Sequence, residues 1–114
     1  MASRISTVIH PVKDLAAAKA VYGTLLGAEP IMDEAYYVGY RVGGLDFGLD
    51  PNGHAKGMAG PLGYWEVDDI EQRLRQLTDA GAAVRQGVTD VGGGKLIATV
   101  ADADGNVFGL TQSA

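Results

Sequence analysis

The sequence contains no cysteine, which excludes disulfide bonds, thiol nucleophiles and cysteine-based metal sites. Basic residues are few: nine Lys and Arg stand against 14 Asp and Glu, without a basic stripe, which argues against a nucleic-acid partner. No apolar run approaches the ~18 residues of a membrane span, and the start, MASRISTVIHPVKD, lacks the apolar stretch of a signal peptide. These absences predict a cytoplasmic protein that binds neither nucleic acid nor membrane.

Glycine is the residue type in excess. The chain has 114 residues, of which 17 are glycine, about twice the usual share of ~7%. Apolar residues at 46% and charged residues at 20% are ordinary for a folded protein, and a chain of this length can bury a core without disulfides. The composition predicts one folded domain in which glycine forms tight turns or lines a cavity.

Local signals in the first half of the chain predict a strand, a helix and further strands. RISTVI reads as a strand, and the helix after it has Asp14 as its N-cap and Gly27 as its stop. After an extended segment near Pro30, AYYVGYRV and LDFGLD form a hairpin, because Gly43-Gly44 suits a two-residue turn. The helix is expected to bury a face made of Leu15, Ala18, Tyr22, Leu25 and Leu26.

The second half repeats this order. LGYWEV is a strand, Asp69 caps the next helix and Gly81 ends it. The inward side of that helix is expected to consist of Ile70, Leu74 and Leu77. AAVRQ is extended, VGGG is a flexible loop, and KLIATVA pairs with VFGLTQ around the turn DADGN. GVTDVGGG is a stretch that the first half lacks.

The predicted organisation is therefore two tandem βαβββ units of the α+β class, one over about residues 1–50 and the other over 62–114, with the joint PNGHAKGMAGP at 51–61. VKDLAAAKAVYGTLLG, EVDDI and DADGNVFGLTQ, in this order and spacing, resemble motifs of the vicinal oxygen chelate superfamily, which includes glyoxalase I, bleomycin-resistance proteins and extradiol dioxygenases. The resemblance covers nearly the whole chain. It implies a single glyoxalase-like domain in which the units form a curved mixed sheet around a cavity, with the helices outside.

The resemblance also implies where a metal would bind in the metal-dependent members. Carried onto this chain, the four ligand positions are Thr7 and Leu62 on the first strands of the units, and Gly48 and Gly109 on the last strands. None of the four is the His or Glu usual in the family, and glycine and leucine side chains offer no donor to a metal. We therefore expect no metal and no other cofactor.

Three other features that resemble ligand sites have simpler explanations. His10 is on the first strand, but alternation from Thr7 turns it toward the helices, which favours a structural role over a ligand. His54 lies in the joint and is expected to be a solvated loop residue. DADGN lacks the spacing and the later glutamate of a calcium loop, so a hairpin turn explains it.

The hairpin turn fixes which residues share the face assigned to the cavity. It pairs Arg41 with Asp46, Gly39 with Gly48, and Tyr37 with Asp50. The predicted ligand-binding residues are Thr7, Tyr37, Arg41, Asp46, Gly48, Asp50, Leu62, Tyr64, Glu66, Gly109 and Thr111.

This predicted lining has three carboxylates against the single cation of Arg41, two tyrosine rings, and open space over the paired glycines. It suits an aromatic ligand that can carry positive charge. The alternative is an ordinary half-solvated sheet surface with cross-strand pairs. Three other aromatic residues are expected in the core beneath the helices: Tyr36, Tyr40 and Trp65.

Three functions follow from these expectations. The first is a binding protein similar to the bleomycin-resistance members, which give antibiotic resistance by sequestering a drug without metal. The second is a metal-dependent lyase, isomerase or dioxygenase, which the ligand positions oppose. The third is a metal-free enzyme with Glu66 or Asp50 as general base and Tyr37 or Tyr64 as acid. Because members of the family commonly pair, we also expect a homodimer, through an exposed first strand or by exchange of halves at the joint.

Overall fold

The computed structural model describes residues 3–114; Met1 and Ala2, which begin the stretch considered above for a signal peptide, lie outside the described residues. The strands are β1 (Arg4–Pro11), β2 (Met32–Glu34), β3 (Tyr37–Val42), β4 (Leu45–Asp50), β5 (Leu62–Glu66), β6 (Ala83–Asp90), β7 (Leu96–Ala101) and β8 (Val107–Gln112). The helices are α1 (Leu15–Leu26), α2 (Ile70–Asp79) and a short 3₁₀ helix, His54–Lys56. Within the described part of the chain, neither α-helix has the length and apolarity needed to cross a membrane.

The chain divides into two compact units. The N-terminal unit is Ser6–Leu62, and the C-terminal unit is Gly63–Ala114 together with the residues up to Ile5. In the N-terminal unit the strand order is β2-β3-β4-β1, with β1 parallel to β4 and the other pairs antiparallel. In the C-terminal unit the order is β5-β8-β7-β6, with β5 parallel to β8 and the other pairs antiparallel. This repeated mixed topology confirms the predicted α+β fold of tandem βαβββ units.

The predicted turns and caps are confirmed. Gly43 and Gly44 have φ values of 58° and 80°, and this left-handed backbone is why the two-residue turn needs glycine. Asp14 accepts a hydrogen bond from the backbone N–H of Ala17 at 3.0 Å, and Asp69 caps α2 in the same way. Gly27 ends α1 in the left-handed conformation. These local signals fix the ends of the elements before any tertiary contact is considered.

The strand β6 is longer than expected. GVTD, part of the stretch that the first half lacks, continues the strand as far as Asp90, and VGGG forms the turn into β7. Register shifts between Val84 and Gln86 and between Gln86 and Thr89 accommodate the additional residues within the β6–β7 pair. Bulges therefore absorb part of the extra stretch without ending the ladder, and VGGG is the loop, as the sequence predicts.

Each unit has a core between its helix and one face of its sheet. In the N-terminal unit Val38, Tyr40 and Leu49 are buried, and four of the five predicted α1 residues pack against them: Leu15, Ala18, Tyr22 and Leu26. The fifth, Leu25, is 71% exposed, so its predicted burial was wrong. It precedes Leu26 by one position, and this step of about 100° around the helix turns it away from the sheet.

In the C-terminal unit the inward side of α2 is as predicted. Ile70 is fully buried, and Leu74 and Leu77 pack against the same cluster, which includes Val67 and Leu110. Burial of such side chains is the main stabilisation of a small unit, at roughly 1.5–3 kcal/mol for each fully buried residue.

Of the three aromatic residues predicted in the core, only Tyr40 is buried. Tyr36 is 60% exposed because it lies in the turn between β2 and β3, where strand alternation no longer decides direction. Trp65 is 40% exposed, although it is paired with buried Leu110 on the helix side of the sheet. The helix α2 packs mainly over β6, β7 and β8, so it leaves β5 at the margin of that core.

Candidate functional site

The predicted site residues of the N-terminal unit lie on the sheet face opposite α1. The register pairs Arg41 with Asp46 and Gly39 with Gly48, as expected from the turn. Thr7 is paired with Asp46 across the parallel β1–β4 ladder and is largely buried. The structure therefore brings together Thr7, Tyr37, Arg41, Asp46, Gly48 and Asp50 on one surface.

The ring of Tyr37 covers the paired glycines of this face. A Cβ atom added at Gly48 would lie 1.8 Å from the Tyr37 hydroxyl oxygen and 2.5 Å from Cζ. A Cβ atom at Gly39 would lie 3.2 Å from Cε2 of the same ring. The prediction of open space over the glycines was wrong, because the tyrosine ring occupies it.

The C-terminal unit has the same arrangement. Tyr64 pairs with Gly109 across the parallel β5–β8 ladder, and a Cβ atom at Gly109 would lie 2.3 Å from Cδ2, 2.4 Å from Cε2 and 2.8 Å from Cγ of the ring. An aromatic side chain laid over a glycine on the next strand restores the packing that the glycine lacks. Phe-Gly-Leu therefore occurs in both last strands, β4 and β8, with a glycine that receives a tyrosine ring.

Two predicted carboxylates of the N-terminal unit are paired with cations. Arg41 Nε donates to Asp46 Oδ1 at 2.7 Å, and this hydrogen bond raises the pKa of the Arg41 guanidinium. Asp50 is buried and accepts from Lys56 Nζ and from the backbone N–H of Asn52, each at 2.8 Å. The joint is thus folded onto the end of β4 by Asp50.

The third carboxylate, Glu66, is engaged within the C-terminal unit. It accepts a hydrogen bond from the Ser113 hydroxyl, and Arg4 Nη2 lies 3.7 Å from its Oε2. Sequence reasoning counted only Arg41 against the three carboxylates and missed Lys56 and Arg4. The expectation of a net acidic lining was therefore wrong, because each carboxylate has its own cation.

Thr111 has a buried hydroxyl with no hydrogen-bond partner among the described residues. The residue is 2% exposed and is paired with Glu66 on β5 and with Ile97 on β7, on the face opposite α2. A buried polar group without a partner destabilises a protein by about 1–3 kcal/mol. Thr111 is therefore the predicted site residue of the C-terminal unit at which a ligand atom would gain most. Leu62, also predicted, is buried at the start of β5.

The two histidines are not ligands of a common site. His10 packs between Tyr22 and Phe47, with ring centroids at 5.2 and 4.6 Å, which confirms the predicted structural role. Its Nδ1 is buried without a hydrogen-bond partner within residues 3–114, and burial lowers the pKa of its imidazole. His54 is exposed at the start of the 3₁₀ helix, as expected for a solvated residue.

We expect His10→Phe to reduce the loss of folding stability that occurs as the pH falls into the mildly acidic range. The unfolded chain protonates His10 near its ordinary pKa of 6.5, whereas the folded chain resists protonation, so stability is lost as pH falls below about 6.5. Melting temperatures between pH 8 and pH 5 should therefore fall less in His10→Phe than in the wild type. His54→Asn is the control, expected to follow the wild type; parallel curves for His10→Phe would contradict the assignment.

The residues at the implied metal positions do not fit a metal. No group of three or more His, Asp or Glu residues within residues 3–114 could hold one. Two of the four positions, Gly48 and Gly109, are covered by tyrosine rings that exclude a coordinating water or side chain from that space. Asp102 of the DADGN turn accepts hydrogen bonds from the side-chain amide of Asn106 and from the backbone N–H groups of Asn106 and Asp104. These hydrogen bonds lower the pKa of its carboxyl and complete the predicted hairpin turn.

A groove that the sequence did not predict lies on the other side of the N-terminal unit. It has a volume of about 420 Å³ and is lined by Lys19, Ala20, Gly23, Thr24, Gly27, Ala28, Glu29, Pro30 and Tyr40. The signal for it was a set of small residues on one side of α1 and just after it, Ala20, Gly23, Gly27 and Ala28. A Cβ atom added at Gly23 would lie 3.6 Å from the Tyr40 hydroxyl oxygen.

Comparison with known proteins identifies the family. Residues 4–110 match the model of the Glyoxalase/Bleomycin resistance protein/Dioxygenase superfamily, so the chain belongs to this superfamily and the predicted resemblance is confirmed. Among curated proteins none matches in sequence.

Solved structures support the fold. A superfamily member from Vibrio splendidus 12B01 has a TM-score of 0.74 at 18% identity and covers 99% of this chain and 100% of its own. Methylmalonyl-CoA epimerase from Mycobacterium tuberculosis has a TM-score of 0.72 at 18% identity, over 96% of this chain and 87% of its own. A hypothetical protein from Bacillus halodurans C-125 has a TM-score of 0.79 at 11% identity, over 100% of this chain and 96% of its own. At these identities the likeness concerns the fold and leaves the activity open.

Proposed function

We propose that this chain is a metal-independent binding protein for a planar aromatic small molecule. The observation that carries the proposal is the pair of tyrosine rings, Tyr37 and Tyr64, laid over the glycines at implied metal positions. Aromatic rings at such positions favour stacking with a flat ligand over coordination chemistry. Sequestration of an aromatic antibiotic is the physiological role within this proposal.

The proposed contact surface of the C-terminal unit is the face that carries Tyr64 and Thr111. A ligand ring packs beside Tyr64 and displaces the side chains that cover Thr111. A ligand hydroxyl or carbonyl then pairs with the Thr111 hydroxyl, which has no other partner among the described residues. In the N-terminal unit, Tyr37 is the corresponding stacking residue, with Arg41 and Asp46 beyond the glycines.

Ligand charge is proposed to matter little. Asp46, Asp50 and Glu66 are each paired with a cation, so a positively charged ligand would compete with an existing ion pair instead of meeting a bare carboxylate. An aromatic cation and a neutral aromatic molecule of the same shape stack in the same way, so the two should bind about equally well.

The test is a titration with matched probes. We expect 2-naphthylmethanol and 2-naphthylmethylammonium to bind with dissociation constants within about threefold of each other, and Tyr64→Leu or Tyr37→Leu to weaken binding about tenfold. Tyr36→Leu, at an exposed tyrosine in the turn before β3, is the matched control and should bind as the wild type does. Bleomycin serves as a further probe of the antibiotic role. Absence of binding for all probes, or equal binding by all three variants, would refute the proposal.

Thr111→Val should raise stability while weakening binding. Valine replaces the unpaired hydroxyl with a methyl group of similar size, so we expect the free energy of unfolding to rise by about 1 kcal/mol. Affinity for 2-naphthylmethanol should fall about threefold to tenfold, because its hydroxyl loses the proposed partner. Chemical denaturation and calorimetric titration measure the two effects.

Thr99→Val is the control for this substitution. Thr99 is buried on the same face, but its hydroxyl is not among the buried groups without a partner, so valine there should not stabilise the protein. A Thr111→Val variant that is less stable than the wild type would show that its hydroxyl has a partner after all.

The alternative is a metal-free enzyme, which the structural similarity to methylmalonyl-CoA epimerase favours. In this hypothesis Glu66 or Asp50 is the general base and Tyr37 or Tyr64 the acid. Incubation with methylmalonyl-CoA in D₂O, followed by NMR, would detect proton exchange next to the thioester. Exchange above the buffer rate that is lost in Glu66→Gln or Asp50→Asn would support the enzyme; no exchange above the buffer rate would count against this substrate.

A further inference from the structure

Two oxygen atoms face the same space in the 420 Å³ groove beside α1. A Cβ atom added at Gly23 would lie 3.6 Å from the Tyr40 hydroxyl oxygen and 4.0 Å from the Ala28 carbonyl oxygen. Because Gly23 has no side chain, both oxygens border a position that no protein atom fills. A hydrogen-bond donor placed close to this position can reach both of them.

The protein itself does not satisfy these two oxygens. The Ala28 carbonyl accepts no hydrogen bond from any residue in 3–114. The Tyr40 hydroxyl donates to the Lys19 carbonyl at 3.5 Å, which is longer than the ~2.5–3.0 Å of an ordinary O–H···O bond, and its lone pairs stay available to a donor. Tyr40 is 1% exposed, so a partner for its hydroxyl has to enter from the groove that it lines.

The end of α1 at this groove is negative. Helix carbonyls of the last turn carry partial negative charge, and α1 has no basic residue there to balance it. Glu29 lines the groove and adds a full negative charge, and it forms no ion pair within the described part of the chain.

Lys19, the basic residue among the lining side chains, is already engaged. Its ammonium donates to both carboxylate oxygens of Asp33, at 2.9 and 2.8 Å. The hydrogen bond to Asp33, and to a smaller extent the charge of Glu29, raise the pKa of the Lys19 ammonium, so Lys19 stays charged and paired with Asp33. The charges of Lys19 and Asp33 cancel, which leaves Glu29 to set the charge of the groove.

We propose that this groove binds the primary ammonium group of a small aliphatic amine, with the nitrogen above Gly23. The ammonium has three N–H donors, which suit the Tyr40 hydroxyl and the Ala28 carbonyl, while Glu29 balances its charge. The small aliphatic side chain of Ala20 and the ring of Pro30 line the space for the rest of the amine.

This site is distinct from the surface proposed for an aromatic ligand. It lies on the helix side of the N-terminal unit, and the one aromatic ring that lines it, Tyr40, is buried up to its hydroxyl. Ligand charge matters here because Glu29 has no cationic partner within residues 3–114, unlike the carboxylates of the other face.

A pair of matched probes provides the first test. We expect cyclohexylmethylamine to bind with a dissociation constant of about 1 mM, and cyclohexylmethanol, which has the same shape without the charge, to bind at least tenfold more weakly. In ¹H–¹⁵N NMR spectra the amine should shift the amide signals of Gly23 and Ala28 most. No binding of the amine, equal binding of the two probes, or shifts concentrated away from the groove would overturn the proposal.

Gly23→Ala tests the position of the nitrogen. Its methyl group would take that position in ordinary contact with the two oxygens, so affinity for the amine should fall at least tenfold. Alanine is the better helix former, so the melting temperature should stay equal or rise. Gly87→Ala, with no neighbour within 4 Å of the added Cβ, is the matched control and should bind as the wild type does. A Gly23→Ala variant that binds as tightly as Gly87→Ala would refute the site.

Two further substitutions test the groups that hold the ammonium. Tyr40→Phe keeps the buried ring and removes the hydroxyl, and Glu29→Gln removes the charge, so each should weaken binding of the amine about threefold to tenfold. Tyr36→Phe and Glu34→Gln, at exposed residues outside the groove, are the controls and should have no effect. Unchanged affinity in Tyr40→Phe or in Glu29→Gln would contradict the proposed contacts.

The same probe separates the groove from the aromatic surface. Tyr37→Leu and Tyr64→Leu should bind cyclohexylmethylamine within about twofold of the wild type, because neither ring lines the groove. A loss of amine binding in either variant would place the amine on the aromatic surface and refute the groove as its site.

Discussion

Gly109→Ala should lower the free energy of unfolding by about 3 kcal/mol, although it adds one methyl group. The new Cβ atom would lie 2.3–2.8 Å from Cδ2, Cε2 and Cγ of Tyr64. Because Cγ is at the base of the ring, rotation about the side-chain bonds moves it little, and Tyr64 is itself buried. Either the strands β5 and β8 must separate or the ring must leave its place, and chemical denaturation measures the loss.

Gly87→Ala is the matched control for Gly109→Ala. Gly87 lies in β6 of the same unit, with no heavy atom within 4 Å of an added Cβ and without a left-handed backbone. Alanine there should be neutral or stabilise the protein by up to about 1 kcal/mol, because it restricts the unfolded chain. A Gly109→Ala variant as stable as Gly87→Ala would mean that Tyr64 does not cover Gly109 in solution.

Gly48→Glu is expected to destabilise the N-terminal unit by about 3 kcal/mol. With open space over the glycines, as the sequence suggested, this glutamate would have been tolerated within about 1–2 kcal/mol. The structure instead places the Tyr37 hydroxyl and Cζ in the position of the new side chain. The clash involves the far end of the ring, so Tyr37 can swing away, but it then leaves the packing over Gly39 as well.

Removal of the ring should rescue this substitution. In a Tyr37→Ala background the glutamate can occupy the space of the phenol ring, so Gly48→Glu should cost about 2 kcal/mol less than it does in the wild type. Tyr36→Ala, with an exposed ring, is the control background and should give no rescue. Equal costs in all three backgrounds would show that the glycine is required by the backbone and not by Tyr37.

Local chemistry was enough to predict the secondary structure and the register. Gly43-Gly44 determines the β3–β4 pairing because only that turn brings Val42 opposite Leu45, and Asp14 and Asp69 determine where the helices begin. The repeated motifs then identified the family, because the order of the motifs in the sequence gives the order of the helices and strands. Turns, helix caps and hairpin register depend on residues that are close together in sequence, so they can be predicted from one sequence.

Charge balance at the site could not be predicted in the same way. Arg41 and Asp46 were found because they face each other across a hairpin of known register. Lys56 reaches Asp50 only because the joint folds back as a 3₁₀ helix, and Arg4 approaches Glu66 from the other end of the chain. A long charged side chain pairs with an opposite charge that lies close to it in the folded protein. The separation of two residues in sequence does not give that distance.

The sequence by itself determined the tandem βαβββ fold, the faces of the strands and the absence of the family's usual His or Glu from the implied metal positions. Only the tertiary structure decided that Tyr37 and Tyr64 lie over the glycines and that Leu25 faces solvent. Strand and helix periodicity fixes the side from which a side chain leaves the backbone. The direction it then takes along that side depends on which neighbouring strand leaves space, and a glycine supplies that space for a tyrosine ring.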